Sequence, residues 1–319
     1  MNPTISVVIP IFNEEANLPL LHDRVHAAVA SITSDYEVIF VNDGSRDRSA
    51  EMLREFCARD PRNQFLSFSR NFGHQVAVMA GVEHSAGSAV VTIDGDLQDP
   101  PELIPELWSK YGEGYKVVYA QRRKRAGEHP LRNMAIRLFY RLLRKATRVE
   151  IPVDTGDFRL MDRKVVDAIK RMPEQHKFLR GQVAWVGFRQ CPVFYDRDAR
   201  HGGKSNYGFF KLLRLALDGF TAFSNFPLRM ATLLGFAVSL VSFLLILYAL
   251  YSKFVQKNLI TGWTSLMVSG MFIGGVQLIS LGIIGEYISR INSDVRKRPL
   301  YIVEDAILRN GNADTPAGS

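Results

Sequence analysis

The sequence predicts an α/β domain built on an open, mainly parallel sheet, followed by a membrane hairpin of two helices. Three observations carry that expectation. Short apolar runs alternate with helical patterns through the N-terminal third, two aspartates one residue apart follow the fourth run, and Met230–Ser252 and Trp263–Gly285 contain no charged residue. Strand and helix in alternation bury a parallel sheet on both faces. An uncharged run of that length crosses a hydrocarbon core of about 30 Å as a helix.

The first strand is the apolar run Ile5–Ile11, and a loop through Asn13, Glu14 and Glu15 leads into a helical pattern reaching about Ile32. Tyr36–Val41 repeats the strand signal, Asn42-Asp43-Gly44-Ser45 reads as a turn, and Asp47 or Ser49 can cap a helix running to about Ala58. A third strand covers about Phe65–Phe68, and Ser69–Gly73 turns into a helix from about His74 to His84. The fourth strand, Val90–Ile93, ends at Asp94-Gly95-Asp96-Leu97-Gln98-Asp99, with Pro100-Pro101-Glu102 suited to a helix start.

Carboxylates at the end of such a strand face the ligand crevice of an open α/β sheet. Two of them, with a glycine turning the backbone between, can hold one hard divalent cation whose other positions take phosphate oxygens. Asp-Gly-Asp is also a common solvated turn, and its place in the βα series is what favours the metal reading. No Gly-x-Gly-x-x-Gly follows the first strand and no P-loop is present, which removes most dinucleotide-dependent dehydrogenases and P-loop ATPases. A nucleotide is then held by polar residues at the strand ends, chiefly Glu14, Asp43 and Asp94. Asp43 is assigned to a base N–H or a ribose hydroxyl. Glu14 and Glu15 also fit an acidic first helical turn favoured by the helix dipole.

The chain has 319 residues and a net charge of +8, and much of the basic surplus lies within Arg122–Arg148 and Arg290–Arg298, beside the apolar segments. That placement fits anionic lipid headgroups better than nucleic acid, and no nucleic-acid partner is expected. Two spans put both termini on one side, and the cationic flanks make that side cytoplasmic. Cys57 and Cys191 fit no metal spacing and read as buried or free thiols of a reducing compartment. The N-terminus passes directly into a strand, so no secretory signal is expected, and the polar tail after Leu308 reads as disordered.

At this point the motifs carry a resemblance. Val7–Glu15, Val41–Asp47, Ser69–Gln75 and Asp94–Glu102 resemble, in order, the motifs of family-two glycosyltransferases, and within them the polyprenyl-phosphate glycosyltransferases of the bacterial undecaprenyl-phosphate glucosyltransferase type, related to dolichol-phosphate mannose synthase. The resemblance extends through both apolar segments. It implies a Rossmann-like GT-A nucleotide-sugar domain over residues 1–204 and an interfacial helix over 205–227. The two transmembrane helices fall within 228–288, at about 230–252 and 263–285, followed by a cytoplasmic tail over 289–319. By the same resemblance Pro10, Phe12, Glu14 and Asp43 line the nucleotide pocket, with Asp94 shared, and Asp94, Asp96 and Gln98 surround Mg²⁺ or Mn²⁺. Asp96 is the favoured direct ligand. A sugar leaving as its glycosyl cation needs the departing diphosphate stabilised, which a divalent ion does.

Further along, Arg137, Arg141, Arg144, Lys145 and Arg148 share one helical face, and Met134, Leu138, Phe139, Leu142 and Leu143 another. Residues 132–148 therefore read as an interfacial amphipathic helix or an ordinary surface helix. Arg122 aligns with an arginine that in the family faces phosphate. Asp154–Asp162 is a second acidic cluster set before a strand, from which the family points to Asp157 near the acceptor. An anionic phosphate acceptor does not oblige a general base, so Asp157 is read as either base or positioning group. Arg159 either pairs with Asp157 or faces phosphate. Arg200-His201-Gly202-Gly203-Lys204-Ser205 combines cations, flexible backbone and a following helix, a good anion site. In the family an Arg-x-x-Gly-x-Ser pattern here meets the lipid phosphate, which Arg200, Gly203 and Ser205 fit, with Lys204 beside them. Gly270 and Gly274 permit close helix packing, within the hairpin or between protomers of a homo-oligomer.

The expected activity is inverting transfer of a hexose, first of all glucose from UDP-glucose, to polyprenyl phosphate. A separate flippase and a downstream glycosyltransferase would use the product. Other donors (GDP-mannose, UDP-N-acetylglucosamine, a UDP-arabinose derivative) and a catalytically silent membrane scaffold are the alternatives. A processive synthase is disfavoured because no tryptophan follows an arginine.

Overall fold

The computed structural model describes residues 3–123, 155–175, 177–196, 226–251 and 262–309. The segment 132–148, the interfacial helix beginning at 205, and Arg200, Lys204 and Ser205 lie outside the described residues. The chain forms two compact units: one holds the N-terminal domain together with the residues from Lys297 onward, and the other holds the apolar hairpin.

In the first unit the elements are β1 (Ile5–Ile11), α1 (Leu18–Ala30), β2 (Tyr36–Asn42), α2 (Ser49–Arg59), β3 (Asn63–Phe68), α3 (His74–His84), β4 (Ala89–Thr92), α4 (Ile104–Gly112), β5 (Val117–Arg122), β6 (Thr155–Asp162), α5 (Arg163–Lys170), α6 (Leu179–Trp185) and β7 (Gln190–Tyr195). β8 (Val303–Ile307) completes an eight-stranded sheet in the order β7-β5-β6-β4-β1-β2-β3-β8. β1, β2, β3 and β4 run parallel, as their alternation with helices requires. All residues of β1, β2, β3 and β4 are buried, because apolar layers cover both faces.

The sheet is mixed rather than parallel throughout. β6 is antiparallel to both β4 and β5, and β8 is antiparallel to β3. The acidic cluster expected ahead of a strand is largely the strand itself: Thr155–Asp162 is β6, and Asp162 caps α5 by accepting from the Lys164 N–H at 2.9 Å. Its pairing matters for the site. Thr92 lies opposite Arg159, and continuing that register two residues brings Asp157 opposite Asp94. The Thr92 hydroxyl fixes the junction by donating to the Asp157 carbonyl.

The C-terminal segment also departs from the sequence expectation of a tail over 289–319. The second apolar helix extends to Arg296, and Val303–Ile307 joins the sheet. Without β8 the β3 edge would present unpaired backbone groups, an arrangement that folds generally cover.

The second unit comprises α7 (Phe226–Tyr251) and α8 (Trp263–Arg296), which pack against each other. Large apolar side chains on them remain exposed, among them Leu233, Phe236, Leu266, Met271 and Leu278. Such a surface needs a hydrocarbon or protein cover. Ser269–Arg296 is long and apolar enough to cross a membrane.

Candidate active site

The carboxyl ends of β1, β2 and β4 carry Phe12, Glu14, Asp43, Asp94, Asp96 and Gln98, while Arg122 ends β5 and Asp157 lies on β6. Asn13 and Ser45 join the β1 and β2 loops: the Asn13 N–H donates to Ser45 Oγ at 3.0 Å, and Asn13 Oδ1 accepts from the Arg46 N–H at 2.8 Å. Glu14 accepts from Asn17 Nδ2 at 2.6 Å, and Glu15 accepts from the Arg48 N–H at 3.0 Å, so both acids help set the helix-start geometry. Pro10 is buried within β1, and Phe12, 46 % exposed, follows it.

Asp43 takes a role that the sequence did not disclose. Its carboxylate accepts from the N–H groups of Phe72, at 2.6 Å, and Gly73, at 3.0 Å, holding the loop that starts α3. Gly44 makes this approach possible. Its φ is +67°, and a Cβ there would sit 2.5 Å from the Arg70 carbonyl carbon. Burial raises the Asp43 pKa above its ordinary value, partly offset by these N–H groups.

Beside these loops lies a cavity of about 460 Å³, lined in part by Phe12, Asn42, Gly44, Ser69, Arg70 and Glu304. Phe12 thus reaches the cavity expected to hold a nucleotide, whereas Pro10, Glu14 and Asp43 do not line it.

Past β4 the chain turns sharply at Gly95, where a Cβ would meet Ile11 Cδ1 at 2.7 Å and the Pro10 carbonyl oxygen at 3.0 Å. Leu97 adopts φ +56°, a conformation L residues rarely take, and its buried side chain anchors the turn in the core. Asp96 accepts from the Gln98 N–H at 3.1 Å, which orients its carboxylate, while Gln98 itself is buried. Asp94 Oδ1 is buried without a hydrogen bond and lies 3.4 Å from His74 Nε2. Burial and the carboxylates of Asp157, Asp99 and Asp96, opposed by His74, push the Asp94 pKa up to about 6.

Asp157 is the hub. Its side chain is 4 % exposed, Oδ2 accepts from His74 Nε2 at 2.9 Å and Gln75 Nε2 at 2.7 Å, and Oδ1 accepts from Arg180 Nε at 2.9 Å. Arg159 Nη2 stands 3.8 Å away. Burial alone would raise the Asp157 pKa, but the His74 hydrogen bond and the charges of Arg180 and Arg159 hold it far below the carboxylate range. His74 is raised despite burial, because Asp157 and Asp94 favour its charged form. Arg159, 4 % exposed, is lowered to about 10 by burial, and its Nε has no hydrogen-bond partner.

A second buried group fixes the neighbouring strand. Arg122 Nη2 donates to Asp99 at 3.3 Å, Arg122 Nε donates to the Tyr195 hydroxyl at 3.1 Å, and that hydroxyl donates to Asp99. Arg122, expected to face phosphate, is therefore also tied into the structure, with 29 % of its side chain exposed.

His74, Asp94 and Asp157 present ligand atoms all within 4.8 Å of one another, a group able to hold a metal ion. Asp157 is already committed to several donors, whereas the buried, unsatisfied Asp94 Oδ1 fits a cation. Aspartate oxygens suit a hard divalent ion. Sequence reasoning singled out Asp94, Asp96 and Asp157 but missed the converging roles of His74, Gln75 and Arg180. His74 and Gln75 stood inside a recognised motif. Arg180 stands on the short helix α6 between the buried Leu179 and Gly181, and no local sequence pattern marks it.

Comparison with known proteins agrees with this architecture. Residues 6–170 match glycosyl transferase family 2, and residues 226–291 match the GtrB C-terminal hairpin. The glycosyltransferase YkcC of Bacillus subtilis is 49 % identical over 299 residues, covering 94 % of this chain and 93 % of its own length. The SfII prophage-derived bactoprenol glucosyl transferase of Shigella flexneri is 42 % identical over 300 residues, covering 94 % and 97 %. A prophage bactoprenol glucosyl transferase homolog of Escherichia coli is 40 % identical over 300 residues, covering 94 % and 98 %. The sheet, the carboxylates past β4 and the apolar C-terminal helices thus belong to one lineage, and the chain is a member of glycosyl transferase family 2, a membrane-associated glycosyltransferase.

Proposed function

We propose that the enzyme transfers glucose from UDP-glucose to the phosphate of a polyprenol. The observation that carries this is the placement, at one end of the same sheet, of a nucleoside-sized cavity over β1, β2 and β3 and the unsatisfied Asp94 carboxylate past β4. Relatives named bactoprenol glucosyl transferase support the glucose and lipid assignments.

In this reading a lipid-phosphate oxygen attacks C1 of the glucose from the side opposite the diphosphate. The C1–O bond to the diphosphate breaks, its electron pair leaves with UDP, and the anomeric configuration inverts. The nucleophile is already an anion near neutral pH, so the enzyme need not remove a proton. Asp157, held ionised by His74, Gln75, Arg159 and Arg180, positions these groups rather than acting as a base. We assign Asp94 and Asp96, with Gln98 beside them, to a Mg²⁺ or Mn²⁺ ion. When bound, such an ion supplies charge neutralisation for the leaving diphosphate. Arg122, Arg200, Lys204 and Ser205 are assigned to substrate phosphates.

The two apolar helices are assigned as two spans, with the catalytic unit and both termini on the cytoplasmic face, in keeping with the cationic flanks. A homo-oligomer, a separate flippase and a downstream glycosyltransferase complete the proposed context.

The test is nucleoside diphosphate release by the full-length enzyme in detergent with undecaprenyl phosphate and Mn²⁺. UDP-glucose, UDP-N-acetylglucosamine and GDP-mannose are offered in turn. UDP-glucose is expected to turn over fastest and only with the lipid present. Preference for another donor would overturn the sugar assignment, and lipid-independent release would overturn the acceptor.

A further inference from the structure

The strand ends follow one another across the sheet in a definite order. The cavity lies over β1, β2 and β3, Asp94 follows β4, Asp157 lies on β6 beside it, and Arg122 ends β5, on the side of Asp157 away from the cavity. Beyond β5 stands β7, a parallel neighbour in which Tyr195 is paired with Arg122.

Three groups from three elements close a ring around the Arg122 guanidinium. Nε donates to the Tyr195 hydroxyl at 3.1 Å, Nη2 donates to Asp99 Oδ1 at 3.3 Å, and the Tyr195 hydroxyl donates to Asp99 in turn. The Asp99 side chain is fully buried, and the Tyr195 ring belongs to the apolar core, so both partners are held in place. A guanidinium is a rigid planar fork, and fixing Nε and Nη2 therefore fixes the direction of Nη1. Nη1 makes no hydrogen bond among the described residues, and 29 % of the side chain is exposed. The ring of groups also presses on β6. A Cβ on Gly156, the residue before Asp157, would stand 3.1 Å from Asp99 Oδ2 and 3.3 Å from Arg122 Nη2.

Resting on the transfer reaction proposed above, we infer that Tyr195 is a positioning residue for Arg122: its hydroxyl, shared with Asp99, aims the guanidinium at the incoming phosphate of the lipid acceptor. Displacement in line with the departing diphosphate brings the attacking oxygen from the side opposite the donor, and Arg122 stands on that side of Asp157. Tyr195 itself touches no substrate. A hydroxyl suits the task because it accepts from Nε and passes its own hydrogen to Asp99. Without it Arg122 is held through Nη2 alone and can swing about that contact. Arg200, also assigned to substrate phosphates, follows Tyr195 on the same stretch of chain.

Lipid-dependent UDP release by the full-length enzyme in detergent tests this, measured over a range of undecaprenyl phosphate with UDP-glucose and Mn²⁺ in a double-mutant cycle of Tyr195→Phe and Arg122→Lys. Tyr195→Phe should lower kcat/KM for the lipid about tenfold, the loss of one hydrogen bond to a charged group. Its affinity for UDP, read by calorimetric titration, should stay at the wild-type value. Arg122→Lys keeps a charge but has no fork to aim, so adding Tyr195→Phe to it should cost less than about twofold. Stability that the hydroxyl contributes, read by thermal unfolding, is lost in both backgrounds and cannot produce that difference. An equal kinetic loss in both backgrounds, or none in either, overturns the role of Tyr195. Weakened UDP binding by Tyr195→Phe overturns the acceptor side of the inference and moves Arg122 to the diphosphate. A wild type that releases no UDP with the lipid present overturns the transfer reaction itself.

Discussion

Asp94→Asn is expected to lower the glucosyl-transfer rate by about a thousandfold, the several kcal/mol that charge stabilisation of a leaving diphosphate supplies. The substitution keeps the size of the side chain and removes the anion whose Oδ1 is buried without a hydrogen bond. Because Phe12 and the cavity over β1, β2 and β3 are untouched, UDP should still bind without metal, while the gain in affinity from Mn²⁺ should disappear. Paired titrations with Mn²⁺ and with chelator read the two effects separately. Full retention of the metal-dependent gain would remove Asp94 from the ion site and transfer that role to Asp96 alone.

Asp157→Asn should be equally damaging for a different reason. Arg159 is almost fully buried, and Asp157 is the anion that His74, Arg159 and Arg180 share. Removing one partner of a buried ion pair costs about 3–5 kcal/mol, because the remaining charge is left without compensation. For a domain of this size that loss lowers the melting temperature by roughly 10 °C. A residue serving only as a general base would instead lose activity at unchanged stability. Thermal unfolding and turnover measured on the same preparation separate the two roles. A melting temperature equal to the wild type, with activity lost, would contradict the positioning role.

What was legible in the sequence was the part that repeats locally. β1 through β4 and the helices between them announce themselves by unbroken apolar runs and helical periodicity, and α3 was bounded at His74 and His84 as observed. Asp94 and Asp96 stand out because strand, glycine and proline fix their place. Asp157 could be named, but not its surroundings. Its partners His74 and Arg180 lie 83 and 23 residues away in the chain, and only the antiparallel insertion of β6 beside β4 brings them together. The misread element was β8. Its centre is Glu304-Asp305, polar enough to pass for tail, and its strand character comes from the β3 edge it covers and from Tyr301 stacking on Phe68. Local propensity is a weak guide to such edge strands, where pairing decides the conformation. Asp43 shows the complementary case: residue type and position suit a nucleoside contact, while its hold on the Phe72 and Gly73 N–H groups depends on a loop 29 and 30 residues further along, which no local pattern discloses.

The central claim is direct displacement by the lipid phosphate at the Asp94 site. The most direct measurement is the structure of the lipid product formed from UDP-glucose and undecaprenyl phosphate, by mass spectrometry and by the anomeric coupling constant. The account predicts a β-linked glucosyl monophosphate lipid with UDP as the co-product. An α-linked product would exclude single inverting displacement, and a glucosyl diphosphate lipid released with UMP would show that the enzyme transfers a phosphosugar instead.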